Sequence, residues 1–225
     1  MINGRAMARE SKAAMSARFS RILDRLEQAM PEARIALNYQ DELQLLVSVM
    51  LSAQSTDAVV NTVTPALFAR YPTAAHYAKS TPEKLGAQIK RVGLWRGKAR
   101  NIHQTMTRIA RDHGGKIPRS REELRELPGV GWKTAGVVVN HAFGTPAFPV
   151  DTHVGRVARR LGLTRHEDPD KVERDLSAIL PPERWGRGHQ LLIWHGRRTC
   201  EARKPHCSRC AVRDLCPRRG VKESD

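Results

Sequence analysis

The chain has 225 residues, enough for one large or two small domains with a real core. Its formal net charge is +16 and its pI is near 10.5. An excess of that size points to a polyanionic partner, nucleic acid or an anionic membrane surface. No run of about 20 apolar residues occurs, which excludes a spanning helix.

The segment Met1 to Ser16 has no apolar stretch of the kind a secretory signal needs. Residues 1–14 read as a disordered basic tail rather than an organelle transit peptide. The compartment expected is therefore reducing, where cysteines serve as metal ligands more often than as disulfides.

The periodicity is helical nearly throughout. Met15, Phe19, Ile22, Leu23, Leu26 and Met30 share one face of a first helix, which Pro31 ends. Leu43 to Leu51 is broken only by Gln44 and Ser48 and reads as a buried central helix. Thr56 or Asp57 caps the next, which carries Val59, Val60, Val63 and Leu67. Thr81-Pro82-Glu83 is a cap with proline in the first turn, and Gly93 is the stop expected for that helix. Ile102, Met106 and Ile109 line another, closed by Gly114-Gly115. Ser120-x-x-Glu123 is a capping box for a short helix ending near Leu127. Helices are expected over Lys133 to Phe143 and, after an extended link from Thr145 to Val150, over Asp151 to Leu161. Asp168-Pro169 starts one with Val172, Leu176, Ile179 and Leu180, and Leu191 to His195 leads into the cysteines. There is no run of alternating strands and no repeat, so the fold class expected is all-α.

Cys200, Cys207, Cys210 and Cys216 are the chain's only cysteines, in the pattern C-x6-C-x2-C-x5-C. Four thiols so close together suggest one four-thiolate site, which suits zinc or an iron–sulfur cluster equally. Arg203 and Lys204 lie between the first two and offer cations to phosphate.

Leu127-Pro128-Gly129-Val130-Gly131 lies between two helices. Glycines let such a turn bend sharply, and bare N–H groups at the following helix start bind phosphate. By itself PGVG is an ordinary helix–helix turn. Here Trp132-Lys133-Thr134-Ala135 follows at once, and Asp151 comes eighteen residues after Lys133. Lysine attacks only as the free amine, a form that burial, neighbouring cations or a helix N-terminus can favour. A lysine in this place is either a nucleophile or a phosphate contact. Asp151 is either a helix cap or a carboxylate that stabilises developing positive charge, or both.

With Val150-Asp151-Thr152-His153-Val154, Leu51-Ser52-Ala53-Gln54-Ser55-Thr56-Asp57 and Gly93-Leu94-Trp95 added, these motifs resemble the helix-hairpin-helix DNA glycosylases. Within them the chain is most similar to the endonuclease III branch, bifunctional glycosylase/lyases for oxidised pyrimidines. The resemblance runs from about Leu37 to Cys216.

It implies Lys133 as the Schiff-base nucleophile and Asp151 as its catalytic carboxylate. Gln54, Leu94 and His153 would probe the duplex, Leu94 as an apolar wedge and Gln54 on the orphaned base. The unspecific alternatives are a core leucine, a helix-end glutamine and a surface histidine. Gly129 and Gly131 would form the DNA-gripping hairpin, with Arg203 and Lys204 on phosphate. The resemblance tips the four cysteines toward a [4Fe–4S] cluster in a structural role, zinc being the alternative.

The implied partner is double-stranded DNA with a damaged base or an abasic site, bound by a monomer with no membrane contact. The implied location is the cytoplasm, at a bacterial-type nucleoid. Two helical domains are expected. Residues 34–145 would form a barrel-like domain ending in the hairpin, and residues 15–33 plus 146–225 a discontinuous cluster domain. Lys133 and Asp151 would then come from opposite sides of a cleft.

Two other readings compete. A mismatch glycosylase of the same fold would act on adenine or thymine, but its hydrolytic members usually lack a lysine at position 133. The chain's end soon after Cys216 also leaves no room for the extra domain of the adenine-specific relatives. A non-catalytic DNA-binding module would not need both Lys133 and Asp151. Two departures from the family pattern, Trp132 beside the lysine and Gly155 one turn after Asp151, bear on the damaged-base pocket.

Overall fold

The structure, a computed structural model, describes residues 10–225. It is helical, with no strand among the described residues. Contacts divide the chain into two units, Ile35–Pro149 and a discontinuous one made of the residues up to Arg34 with Val150–Asp225.

The inserted unit contains α2 (Glu42–Ser52), α3 (Asp57–Arg70), α4 (Ala74–Ala78), α5 (Pro82–Gln88), α6 (Trp95–Asp112), α7 (Arg121–Arg125) and α8 (Trp132–Phe143). Helix α2 is apolar on nearly every side, and its residues from Leu45 to Leu51 are all buried. A helix of that kind is stable only when surrounded; α3, α6 and α8 pack on it, α4 and α5 on α6, and α7 on α8.

Local chemistry sets most of the starts. Asp41 caps α2 through the Gln44 N–H at 2.8 Å, Thr56 caps α3 at 3.3 Å, and Thr81 caps α5 at 3.3 Å with Pro82 in the first turn. Ser120 caps α7, and its hydroxyl also reaches the Glu123 carboxylate at 2.8 Å. Gly144, at φ 66°, closes α8.

The other unit holds α1 (Lys12–Ala29), α9 (Thr152–Arg160), α10 (Pro169–Ser177) and α11 (Trp185–Arg198), followed by the cysteine loop. Helix α11 packs against α1 and α9. Arg187 fastens the amino-terminal segment: its guanidinium grips both Glu27 carboxylate oxygens, at 2.5 and 2.6 Å, and donates to the carbonyls of Pro31 and Ala33. The Trp194 indole adds a bond to the Arg34 carbonyl at 2.8 Å.

Several boundaries differ from the sequence reading. Of the tail expected over residues 1–14, residues 10–14 are instead held in structure, because Ser11 caps α1 through the Ala14 N–H and the Arg18 guanidinium holds Glu10; residues 1–9 lie outside the described residues. Helix α5 stops at Gln88 rather than Gly93, which instead sits in the tight turn before α6. Helix α4 was not foreseen. Helix α11 begins six residues before Leu191, with Gly186 and Gly188 inside it. The link 146–149 sorts with the inserted unit: Ala147 lies in that unit's core and its carbonyl accepts from Asn140 Nδ2 at 2.9 Å.

Candidate nucleic-acid interface and four-cysteine pocket

The hairpin is built by α7, the turn Leu127–Gly131 and α8. Leu127 and Val130 are buried and anchor the turn, leaving Gly129 and Gly131 at the surface. Gly129 has φ 75°, a left-handed conformation that disfavours any side chain. Gly131 is the N-cap of α8 and makes no side-chain bond, so the first N–H groups of the helix stay uncovered. Lys133 is exposed in that first turn. Trp132 beside it carries the Arg121 guanidinium 3.9 Å over its ring, while Arg121 Nε donates to the Trp132 carbonyl at 3.0 Å.

Gln54 and Leu94 are both exposed, and both are non-glycine residues in the left-handed region, at φ 55° and 58°. That conformation is costly and persists only where the surroundings impose it. Leu94 is 64% exposed, the only large apolar side chain so exposed among the described residues. The two loops touch. Gly93 N–H donates to Ser55 Oγ at 3.2 Å, and a Cβ on Gly93 would stand 3.3 Å from the Gln54 carbonyl oxygen.

In the other unit Asp151 is the N-cap of α9, accepting from the Val154 N–H at 2.8 Å. His153 follows in the first turn, half-buried. Burial holds its imidazole below the ordinary histidine pKa, and its Nδ1 lies 3.3 Å from Arg156 Nη2. Gly155 is buried, and a Cβ there would stand in ordinary contact with Arg159 Nη1 at 3.4 Å and Val150 Cγ1 at 3.7 Å.

The four cysteines line one pocket, walled by Leu161, Val212, Val221, Pro205, Arg160 and His195. Burial pushes the Cys210 and Cys216 thiols up, and burial lowers the His195 imidazole to about 4. N–H groups nevertheless point at sulfur: Arg160 Nη1 lies 3.4 Å from Cys200 Sγ and the Arg218 N–H 3.3 Å from Cys216 Sγ. Such donors suit sulfur that carries negative charge. Among the described residues no group of three or more His, Cys, Asp or Glu side chains is arranged to hold a metal ion. Arg203 and Lys204 are exposed on the loop between the first two cysteines. Arg160 threads beneath it, donating to the Glu201 carbonyl at 2.6 Å and the Ala202 carbonyl at 2.7 Å.

A family model described as HhH-GPD superfamily base excision DNA repair protein matches residues 47–182. The chain belongs to this superfamily. It is 46% identical over 201 residues to endonuclease III of Bacillus subtilis (strain 168), covering 89% of this chain and 91% of that one. Identity to endonuclease III of Escherichia coli (strain K12) is 42% over 195 residues, covering 87% and 92%. A solved structure of a trapped endonuclease III–DNA covalent intermediate superposes with a TM-score of 0.86 at 43% identity, covering 90% of this chain and 96% of that one. A thermostable thymine-DNA glycosylase superposes with a TM-score of 0.82 at 23% identity, which speaks to the fold alone.

Within the superfamily fold, the structure brings Gln54 to Leu94, sets Lys133 directly after the hairpin glycines, and gathers the four cysteines. Lys133 and Asp151 lie in different units. Sequence reasoning missed Lys98, and it reads Arg160 as part of a solvated basic face or DNA groove, whereas that side chain is buried against the cysteine loop's carbonyls. Their signal would have been a basic residue on an otherwise apolar helical face, at the spacing of Ala99 and Ile102 or of Val157 and Ala158.

Proposed function

We propose that this base-excision DNA glycosylase and AP lyase releases oxidised pyrimidines of the thymine glycol type from duplex DNA. Lys133 supplies the nucleophile. Its amine forms a bond to the deoxyribose C1′ as the C1′–N bond to the base breaks, and the base leaves with the electron pair and takes up a proton. Loss of the amine proton and opening of the sugar leave a Schiff base. Removal of a C2′ proton then expels the 3′ phosphate, cutting the strand by β-elimination, and water returns the free amine. Asp151 stabilises the positive charge that develops on the sugar and moves protons during the attack. Leu94 fills the space the extruded base leaves, Gln54 bonds the estranged base, and His153 contacts the duplex.

Cys200, Cys207, Cys210 and Cys216 hold a [4Fe–4S] cluster. The four thiols line one pocket, as a four-thiolate group requires, and the likeness to endonuclease III favours the cluster over zinc. When bound, the cluster supplies a rigid, ligand-crossed centre to the loop. Arg203 and Lys204 then present fixed cations to the DNA backbone. The protein acts as a monomer at the nucleoid, where its large positive charge favours DNA over other partners. No described helix is long and apolar enough to cross a membrane.

The observation that carries this reading is Lys133, exposed in the first turn of α8 in a chain 43% identical to an endonuclease III trapped covalently on DNA. Borohydride trapping on a duplex with one thymine glycol tests it. A protein–DNA adduct forms with the wild type and is absent with Lys133→Gln. No adduct with the wild type, but release of a mismatched base without strand cleavage, would replace this reading with a mismatch glycosylase.

A further inference from the structure

Lys98 is a lysine that almost no water reaches: it is 7% exposed, on the first turns of α6. Its Nζ donates to the Leu51 carbonyl at 2.7 Å and to Ser55 Oγ at 3.0 Å. Leu51 lies in the last turn of α2, whose final carbonyls have no helical partner and carry the negative end of the helix dipole. Ser55 Oγ in turn accepts the Gly93 N–H. One ammonium therefore joins three pieces of chain: the end of α2, the turn carrying Gln54, and the turn carrying Leu94.

Burying that ammonium is unfavourable, and burial alone lowers its pKa from the usual lysine value. A lysine placed only to cover apolar surface would send its charged end to water. Here the charged end points inward, toward two loops held in the left-handed region at Gln54 and Leu94. Neither residue favours that backbone by itself, so something must hold both turns.

We infer that Lys98 is a positioning residue that locks the Gln54 and Leu94 turns into one rigid probe, and that entry of this probe into the duplex depends on it. The inference rests on the base-extruding function proposed above, with Leu94 as wedge. Lys98 itself touches neither DNA nor the reacting sugar in this account. A loose probe must be ordered at the moment of insertion, and that ordering opposes extrusion.

Lys98→Met keeps the length of the stem and removes the donors. Its effect can be read without chemistry, on a duplex carrying a reduced abasic-site analogue opposite 2-aminopurine. Saturating wild-type protein raises the fluorescence as the probe unstacks that base. Lys98→Met gives a rise at least five-fold smaller, and adding Leu94→Ala to it changes the rise less than two-fold further. In the free protein, amides of residues 53–56 and 91–94 exchange at least ten-fold faster while those inside α2 and α6 keep their rates. Ser55→Ala, which removes the acceptor shared by Lys98 and the Gly93 N–H and spares the Leu51 bond, shifts the same readouts in the same direction.

A full fluorescence rise with Lys98→Met, or faster exchange spread evenly over the unit, would overturn the inference. A wild type that raises the fluorescence yet never forms a borohydride adduct would instead remove the lyase reading and leave Lys98 in its role. If the wild type gives no rise, the probe itself is not one.

Discussion

The Asn101 side chain occupies the space that a Cβ on Gly129 would need: its Nδ2 and Cβ would lie 2.6 and 2.7 Å from such an atom. Helix α6 thus lies directly against the hairpin turn, and Thr105, one turn on, donates to the Pro128 carbonyl at 2.6 Å. The hairpin glycine answers two demands at once, a positive φ and the absence of a side chain.

Gly129→Ala should therefore cost more than the backbone alone, which is about 1–2 kcal/mol for a left-handed alanine. Denaturant unfolding checks this. Adding Asn101→Gly, which removes the Asn101 Cβ as well as its amide, should recover the contact part and leave the backbone part, less about 1 kcal/mol for a glycine inside α6. If the double variant is as unstable as the sum of the singles, the clash is not the cause.

Asp151 caps α9 and is also the proposed catalytic carboxylate, and two substitutions separate these roles. Asparagine caps a helix about as well as aspartate, whereas alanine loses about 1 kcal/mol of capping. Asp151→Asn should melt within a degree or two of the wild type and lose base release by about a hundred-fold or more. Asp151→Ala should lose both. Near-normal base release by Asp151→Asn would remove the catalytic role and leave the cap.

Arg203 and Lys204 are exposed on the cysteine loop, so their contribution to DNA binding should be electrostatic. Removing two phosphate contacts should lower the slope of log K against log salt by about 1.8, given about 0.9 per phosphate on duplex DNA. Binding of Arg203→Ala/Lys204→Ala to undamaged and damaged duplexes should weaken by similar factors. An unchanged slope in a salt titration would take the loop out of the DNA interface.

The discontinuous unit should be sensitive to acid. The Arg187 guanidinium holds the Glu27 carboxyl below its ordinary value of 4.5, and Arg18 does the same to Glu10. A carboxyl depressed in the folded state contributes stability that is present above its unfolded pKa and lost as pH falls through the folded one. Melting temperature should thus fall below about pH 4.5. Glu27 is partly open to solvent, so Glu27→Gln should cost only about 0.5–1 kcal/mol at pH 7 after screening. The cost should shrink as pH falls below 4.5 and through the depressed folded pKa of Glu27. A pH-independent cost in melting experiments would mean that packing, not charge, is what Glu27 supplies.

Local chemistry made much of this molecule legible from the residues alone. Thr56, Thr81, Ser120 and Asp168 each cap the helix they precede, because capping needs only a side-chain oxygen and an N–H three residues away. The apolar run of α2 announced a buried helix for a similar reason, since burial on all sides is the only stable outcome for it. The hairpin glycines, Lys133 and the cysteine spacing were equally plain, each being a short contiguous pattern.

The tertiary structure alone decided what depends on residues distant in the chain. Leu94 could have been core, and it stands exposed because the turn before α6 is pinned to a serine 38 residues earlier. Lys98 reads in the sequence as one more cation among many, and its burial follows from a carbonyl 47 residues away. Arg160 likewise spends its charge on carbonyls some 40 residues beyond it. Whether a basic side chain faces water or a set of orphaned carbonyls is settled by long-range packing, and no local pattern encodes that packing.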